Sequence, residues 1–137
     1  MSFLDTNVIS ETLRRSPSPR LMNWLAMNDD SLAIPTVTIA EIAYGIAKIR
    51  PDERSDLLQS GLDAWRQRFT GRIFALTEQA AMVYGEITGD AQRAGTALSV
   101  PDGIIASIAI VNEGRLATRN IRDFANVPVD LVNPWEA

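Results

Sequence analysis

Histidine and cysteine are both absent from the 137 residues, and lysine occurs only at Lys48. The chain therefore has no thiol nucleophile, no disulfide, no imidazole base and none of the usual nitrogen and sulfur ligands of zinc. No apolar run approaches the ~20 residues needed to span a bilayer. The N-terminus enters a strand pattern without a basic lead or a cleavable apolar stretch, which argues against export. Together with a cysteine count of zero, this leads us to expect a cytoplasmic protein. Because lysine is so scarce, the positive charge rests on arginine, the better fork for phosphate. Nine of the twelve arginines fall into three groups: Arg14, Arg15 and Arg20; Arg66, Arg68 and Arg72; Arg115, Arg119 and Arg122. Against a nucleic-acid partner stands a net charge of −4 with pI near 4.8, since a basic stripe is the usual footprint.

What is present is an alternation of short apolar strands and longer helical patterns. Ser2–Leu4, Leu32–Ile34, Arg72–Leu76, Arg115–Thr118 and Val129–Val132 read as strands. Between them, helical spacing runs over Val8–Arg15, Pro19–Met27, about Thr36–Ile49, a polar stretch to Phe69, Thr77 to near Gly95, and Pro101–Val111. Such alternation predicts an α/β fold with a mainly parallel sheet of about five short strands covered by helices on both faces. A single domain, residues 1–137, is expected. The helix from Thr36 is apolar nearly all round, which predicts a core helix.

Three carboxylates occupy places where carboxylates are costly or well positioned. Asp5 ends the first strand, the edge at which open α/β sheets place ligands, although it could simply cap the next helix, with Thr6 or Asn7 as rival caps. Glu41 is the only charged residue between Thr36 and Ala47. Buried there, it must be protonated, paired with arginine or bound to a cation. Asp102 opens a wholly apolar helix, and Ser99-Val100-Pro101-Asp102 also resembles a capping box. With no histidine to share the chemistry, these acids fit one oxygen-ligated divalent cation better than three unrelated accidents.

The same residues carry a family likeness. Leu4-Asp5-Thr6-Asn7-Val8-Ile9-Ser10-Glu11 resembles the opening of PIN-domain proteins of the VapC toxin type. Thr38-Ile39-Ala40-Glu41-Ile42 with Gly45 is similar to the second acidic motif, Pro101-Asp102-Gly103-Ile104-Ile105-Ala106 to the third, and Ala117-Thr118-Arg119-Asn120 with Asp123-Phe124 to the fourth. The closing Val132-Asn133-Pro134-Trp135 resembles the FitB-like plasmid-stability branch. The resemblance implies a PIN-like three-layer α/β sandwich and a Mg²⁺- or Mn²⁺-dependent endoribonuclease. It also implies a homodimer, neutralisation by a small VapB/FitA-like antitoxin, and a larger complex with operator DNA formed through that antitoxin. It maps Asp5, Glu41 and Asp102 onto the family's first three acids and makes them the expected metal ligands. The fourth acid is replaced by Asn120, an amide that can ligate but brings no charge, with Asp123 as a possible substitute. Thr6 and Thr118 are expected to orient the acids or water, and Arg14, Arg15 and Arg119 to contact RNA phosphates.

Two other functions compete. A phosphate-monoester hydrolase would use Asp5 as nucleophile, but needs a second acid where Asn7 stands. A PIN-like module that has lost activity at Asn120 would only bind a partner. For a partner, apolar residues of the second and third helices (Leu21, Trp24, Leu25, Ile42, Ile46, Ile49) predict a groove suited to an amphipathic helix, unless all of them lie in the core.

Overall fold

The computed structural model describes residues 1–137. Five strands, β1 (Ser2–Leu4), β2 (Leu32–Pro35), β3 (Ile73–Phe74), β4 (Arg115–Ala117) and β5 (Leu131–Val132), form one sheet in the order β3-β2-β1-β4-β5. Every pairing is parallel. β1 lies at the centre, with Phe3 opposite both Ala33 and Leu116. Such a sheet must be covered on both sides, and the alternation of side chains shows how. Leu4, Leu32, Ile34 and Ala117 face one core, with Val8, Ile9, Leu21, Trp24, Ile42, Ile46 and Phe69. Phe3, Ala33 and Leu116 face the other side, packed with Ile105, Ile108 and Ala109.

The helices are α1 (Thr6–Thr12), α2 (Pro19–Met27), α3 (Thr36–Ile49), α4 (Arg54–Arg68), α5 (Glu78–Arg93) and α6 (Val100–Val111). α1 to α4 cover the first face; α5 and α6 cover the second. Pro19 sits in the first turn of α2 behind the Ser18 cap, where its missing N–H costs nothing. α6 is the central helix of its layer, with Ile105 through Ala109 buried. It packs on α5 at Gly103, where an added Cβ would lie 2.6 Å from Cε1 of Tyr84.

Two expectations are corrected. α1 begins at Thr6, and its cap is Asp5 itself rather than Thr6 or Asn7. α3 is not a core helix: only Thr38, Ile42 and Ile46 are buried, while Ala40, Ala43, Tyr44 and Ala47 are exposed. Its apolar periphery faces outward because α1 and α4 flank it without covering it. By contrast, Leu21, Trp24 and Leu25 of α2 lie in the core, so the open groove runs between α1, α3 and α4 instead of beside α2. No helix is long and apolar enough to cross a membrane.

Candidate active site

Parallel strands send all their carboxyl ends to one edge, and the helix that feeds a strand has its N-terminus at that same edge. This places the segments after β1, β2 and β4 and the start of α6 together. Asp5 follows β1 and is 4% exposed. Its backbone N–H donates to the Ala117 carbonyl at 3.0 Å, locking it to β4. Oδ1 accepts the Thr6 N–H at 2.7 Å; Oδ2 accepts the Thr118 hydroxyl at 2.7 Å and the Asn7 amide at 3.1 Å. Burial raises the Asp5 pKa above the ordinary 3.8; the nearby Glu41 charge adds to this, and the hydrogen bonds work against it.

Glu41 is half-buried on α3 and accepts the Thr6 hydroxyl on Oε1. α3 is pinned at this end by Thr38, whose hydroxyl donates to the Leu4 carbonyl at 2.8 Å. Asp102 stands in the first turn of α6, where Ser99 Oγ accepts its N–H at 3.2 Å. Only that half of a capping box forms. The Asp102 carboxyl is pushed up to about 6, first by burial and then by the charge of Asp5, with Asp123 and Glu41 adding to it. Asp5, Glu41 and Asp123 thus lie near enough to Asp102 for their charges to act on it. None of them takes part in an ion pair; the five salt bridges of the protein lie elsewhere. The arginine partner that would make Glu41 purely structural is therefore missing.

The carboxylates do not close into a finished shell. No group of three acids stands together tightly enough to hold one ion as the side chains lie. That is the arrangement expected of like charges without a counter-charge, since they repel and desolvation disfavours drawing them closer. The donor set nonetheless suits a hard cation: carboxylate and amide oxygens only, backed by two threonine hydroxyls.

The remaining sequence candidates divide. Asn120 lies on the loop after β4, its N–H donating to Thr118 Oγ1 at 3.0 Å. Asp123 follows in a 3₁₀ turn over Ile121–Phe124 and is exposed. The Arg119 N–H donates to Asn7 Oδ1 at 3.2 Å, and its guanidinium lies 5.1 Å from the centre of the Trp135 ring. Arg14 and Arg15 are not beside the acids. They sit past the far end of α1, which rises about 9 Å along its axis from Thr6 to Thr12. Arg14 is paired there with Glu11 at 3.3 Å.

Asn7 was missed as more than a cap. One side chain ties Asp5, Thr118 and the Arg119 backbone together, donating through Nδ2 and accepting through Oδ1. The signal available was its place two residues after a strand-end acid, one turn from which both neighbours are in reach.

A groove starts at the acids. Thr6 and Glu41 form its upper end; Leu13, Ile42, Gly45, Ile46, Ile49 and Leu58 form the walls of a cavity of about 330 Å³. An adjoining cavity of about 570 Å³ shares Ser10, Leu13, Arg54 and Leu58 and continues to Arg14 and Arg15.

Comparison with known proteins agrees with this architecture. The family model described as PIN domain matches residues 2–130. Toxin FitB of Neisseria gonorrhoeae is 33% identical over 98% of this chain and 99% of its own length. VapC ribonuclease Y4jK of Sinorhizobium fredii is 30% identical over 99% of each chain. The crystal structure of FitAcB from Neisseria gonorrhoeae superposes with a TM-score of 0.92 at 32% identity, covering 100% of both chains. Strand-end Asp5, α3 Glu41 and helix-start Asp102, set on a five-stranded parallel sheet with this likeness along its length, place the chain in the PIN-domain family.

Proposed function

We propose that the chain is the toxin of a type II toxin–antitoxin pair, a divalent-metal-dependent endoribonuclease silenced by a small VapB/FitA-like antitoxin. The observation that carries the reading is the set of carboxylates at the C-terminal edge of the sheet, buried Asp5 with half-buried Glu41 and Asp102, none of them in an ion pair. Such a cluster is short of positive charge, and a cation together with a phosphodiester would relieve it. The family and the two named relatives support the same reading.

In this reading Asp5, Glu41 and Asp102 hold Mg²⁺ or Mn²⁺, with Asn120 and Asp123 at the margin. When bound, the ion supplies Lewis acidity toward a phosphodiester oxygen and lowers the pKa of an attacking water. The chain's own residues do the positioning. Thr118, Asn7 and the Thr6 N–H fix both oxygens of Asp5, and the Thr6 hydroxyl fixes Glu41. Burial and the neighbouring carboxylates push the Asp102 carboxyl up to about 6, so a cation beside it would favour its ionised form. Hydrolysis by water is expected to leave a 5′-phosphate. Arg119 is the arginine best placed to meet the RNA.

The groove between α1, α3 and α4 is the partner surface of this reading. Its apolar walls suit the apolar face of an antitoxin helix, and Arg14, Arg15 and Arg54 at its far end suit acidic residues there. Operator DNA would be engaged through the antitoxin.

A partner-binding module without nuclease activity is favoured by two observations, Asn120 in place of an acid and the unclosed shell. One assay separates the two. Purified protein is incubated with cellular RNA and Mg²⁺, and new 5′ ends are mapped beside an Asp5→Asn control. Cutting by wild type alone supports the nuclease; equal cutting by both, or none by either, overturns it.

A further inference from the structure

Beside the carboxylates a second concavity of about 500 Å³ opens, and the groove does not include it. Arg119, Asn120, Arg122 and Asp123 line it from the loop after β4, and Asn133 and Glu136 from the C-terminal turn. The volume suits one nucleotide. Its wall is continuous with the acid cluster, because Thr118 Oγ1 both donates to Asp5 and accepts the Asn120 N–H. Asn7 likewise holds Asp5 through its amide nitrogen and the Arg119 backbone through its oxygen. The Arg119 guanidinium is steadied over Trp135. Asn133 Oδ1 accepts the Trp135 N–H at 2.9 Å, which fixes the turn that carries Glu136.

A pocket for phosphate alone would present donors and no carboxylate. This one pairs two arginines with two carboxylates, and none of the four is engaged in a salt bridge. That mixture fits a ligand presenting adjacent acceptors on one edge and adjacent donors on another. Unpaired RNA bases are read on both edges and stack on guanidinium planes. Among the four bases, guanine offers N7 and O6 as neighbouring acceptors for a guanidinium, and its N1–H and N2 amine as neighbouring donors for a carboxylate.

We propose that this cleft binds an unpaired guanine flanking the cleaved bond, with Arg122 on its N7/O6 edge, Glu136 on its N1/N2 edge and Arg119 stacked against the base. The proposal rests on the RNA-cleaving reading above, and deepens it by assigning the residues that select the sequence.

The test measures equilibrium binding of labelled hexaribonucleotides to metal-free protein by fluorescence anisotropy. One strand carries a single guanine among uridines; others carry adenine, cytosine or inosine in its place. Wild type should hold the guanine strand about tenfold tighter than the adenine strand, in keeping with one bidentate contact. Inosine, which lacks the N2 amine, should fall between them. Arg122→Ala and Glu136→Gln, both on the surface, should each bring the affinities for the guanine and adenine strands to within about twofold of each other. Equal binding of all strands, preference for another base, no binding at all, or a guanine preference that survives both substitutions would overturn the proposal. Such failures leave the nuclease reading standing if wild type cuts RNA and Asp5→Asn does not. Selective binding without cutting would separate the two in the opposite sense.

Discussion

Replacing Asp102 by asparagine should stabilise the metal-free protein at neutral pH, and the size of the effect follows from the site. The carboxyl titrates near pH 6 in the fold against an ordinary 3.8. Well below its ordinary 3.8 it is protonated in both folded and unfolded chains and contributes nothing. Between there and pH 6 the unfolded chain releases the proton while the folded one keeps it, so stability falls as pH rises. Above that window the penalty is constant. The displacement corresponds to roughly 3 kcal/mol at 1.36 kcal/mol per pKa unit. Asp102 is only half-buried, however, and solvent screening reduces this to about 1.5 kcal/mol. Asp102→Asn removes the charge and keeps the shape. Urea unfolding followed by circular dichroism in EDTA should give stabilities within about 0.5 kcal/mol of each other at pH 4 and a variant more stable by about 1.5 kcal/mol at pH 7.5. Adding Mg²⁺ at 100 times its dissociation constant should then raise the wild type by about 2.7 kcal/mol and the variant by much less. Parallel pH profiles for the two proteins in EDTA would refute the argument from burial and repulsion. A variant less stable at pH 7.5 would refute it as well.

Three further perturbations probe the supports of the site. Thr118→Val removes the hydroxyl that donates to Asp5 at 2.7 Å; a hydrogen bond to a charged acceptor predicts a loss of about 2 kcal/mol in urea unfolding and reduced RNA cutting. Gly103→Ala drives a Cβ to 2.6 Å from the Tyr84 ring, which should cost about 1–3 kcal/mol. A Tyr84→Ala background that opens the space should recover part of this loss in the same unfolding assay. Asn120→Asp restores a charge beside Thr118, and calorimetric titration with Mn²⁺ should show tighter binding or a second ion; unchanged affinity would remove Asn120 from the ligand set.

Much of the fold was legible because its signals are local. Phe3 and Leu4 before Asp5, and the mostly apolar α6 behind Ser99 and Pro101, declare a buried strand and a buried helix within a few residues each. The order of alternation fixed the parallel sheet. What remained hidden depended on contacts distant in sequence. The role of Asn7 requires Thr118 and Arg119 beside it, more than a hundred residues away. The guanine cleft requires the turn after β5 to lie against the loop after β4, which follows from the pairing of Ala117 with Val132. Neither Asn133 nor Glu136 carries any sign of this in its immediate sequence.

The misreading of α3 has its own physical content. A helix apolar all round is a core helix only if neighbours cover it, and here α1 and α4 leave part of it open. The uncovered surface and the acid are on one element: Glu41 precedes Ile42, and Ile46 lies one turn further along the same groove. A partner helix laid along this groove, over Gly45 and Ile49, must therefore also close over Glu41 and the Thr6 hydroxyl it accepts. Docking and silencing would then be one event, and an unpaired carboxylate on an apolar helix is the sequence trace of that coupling.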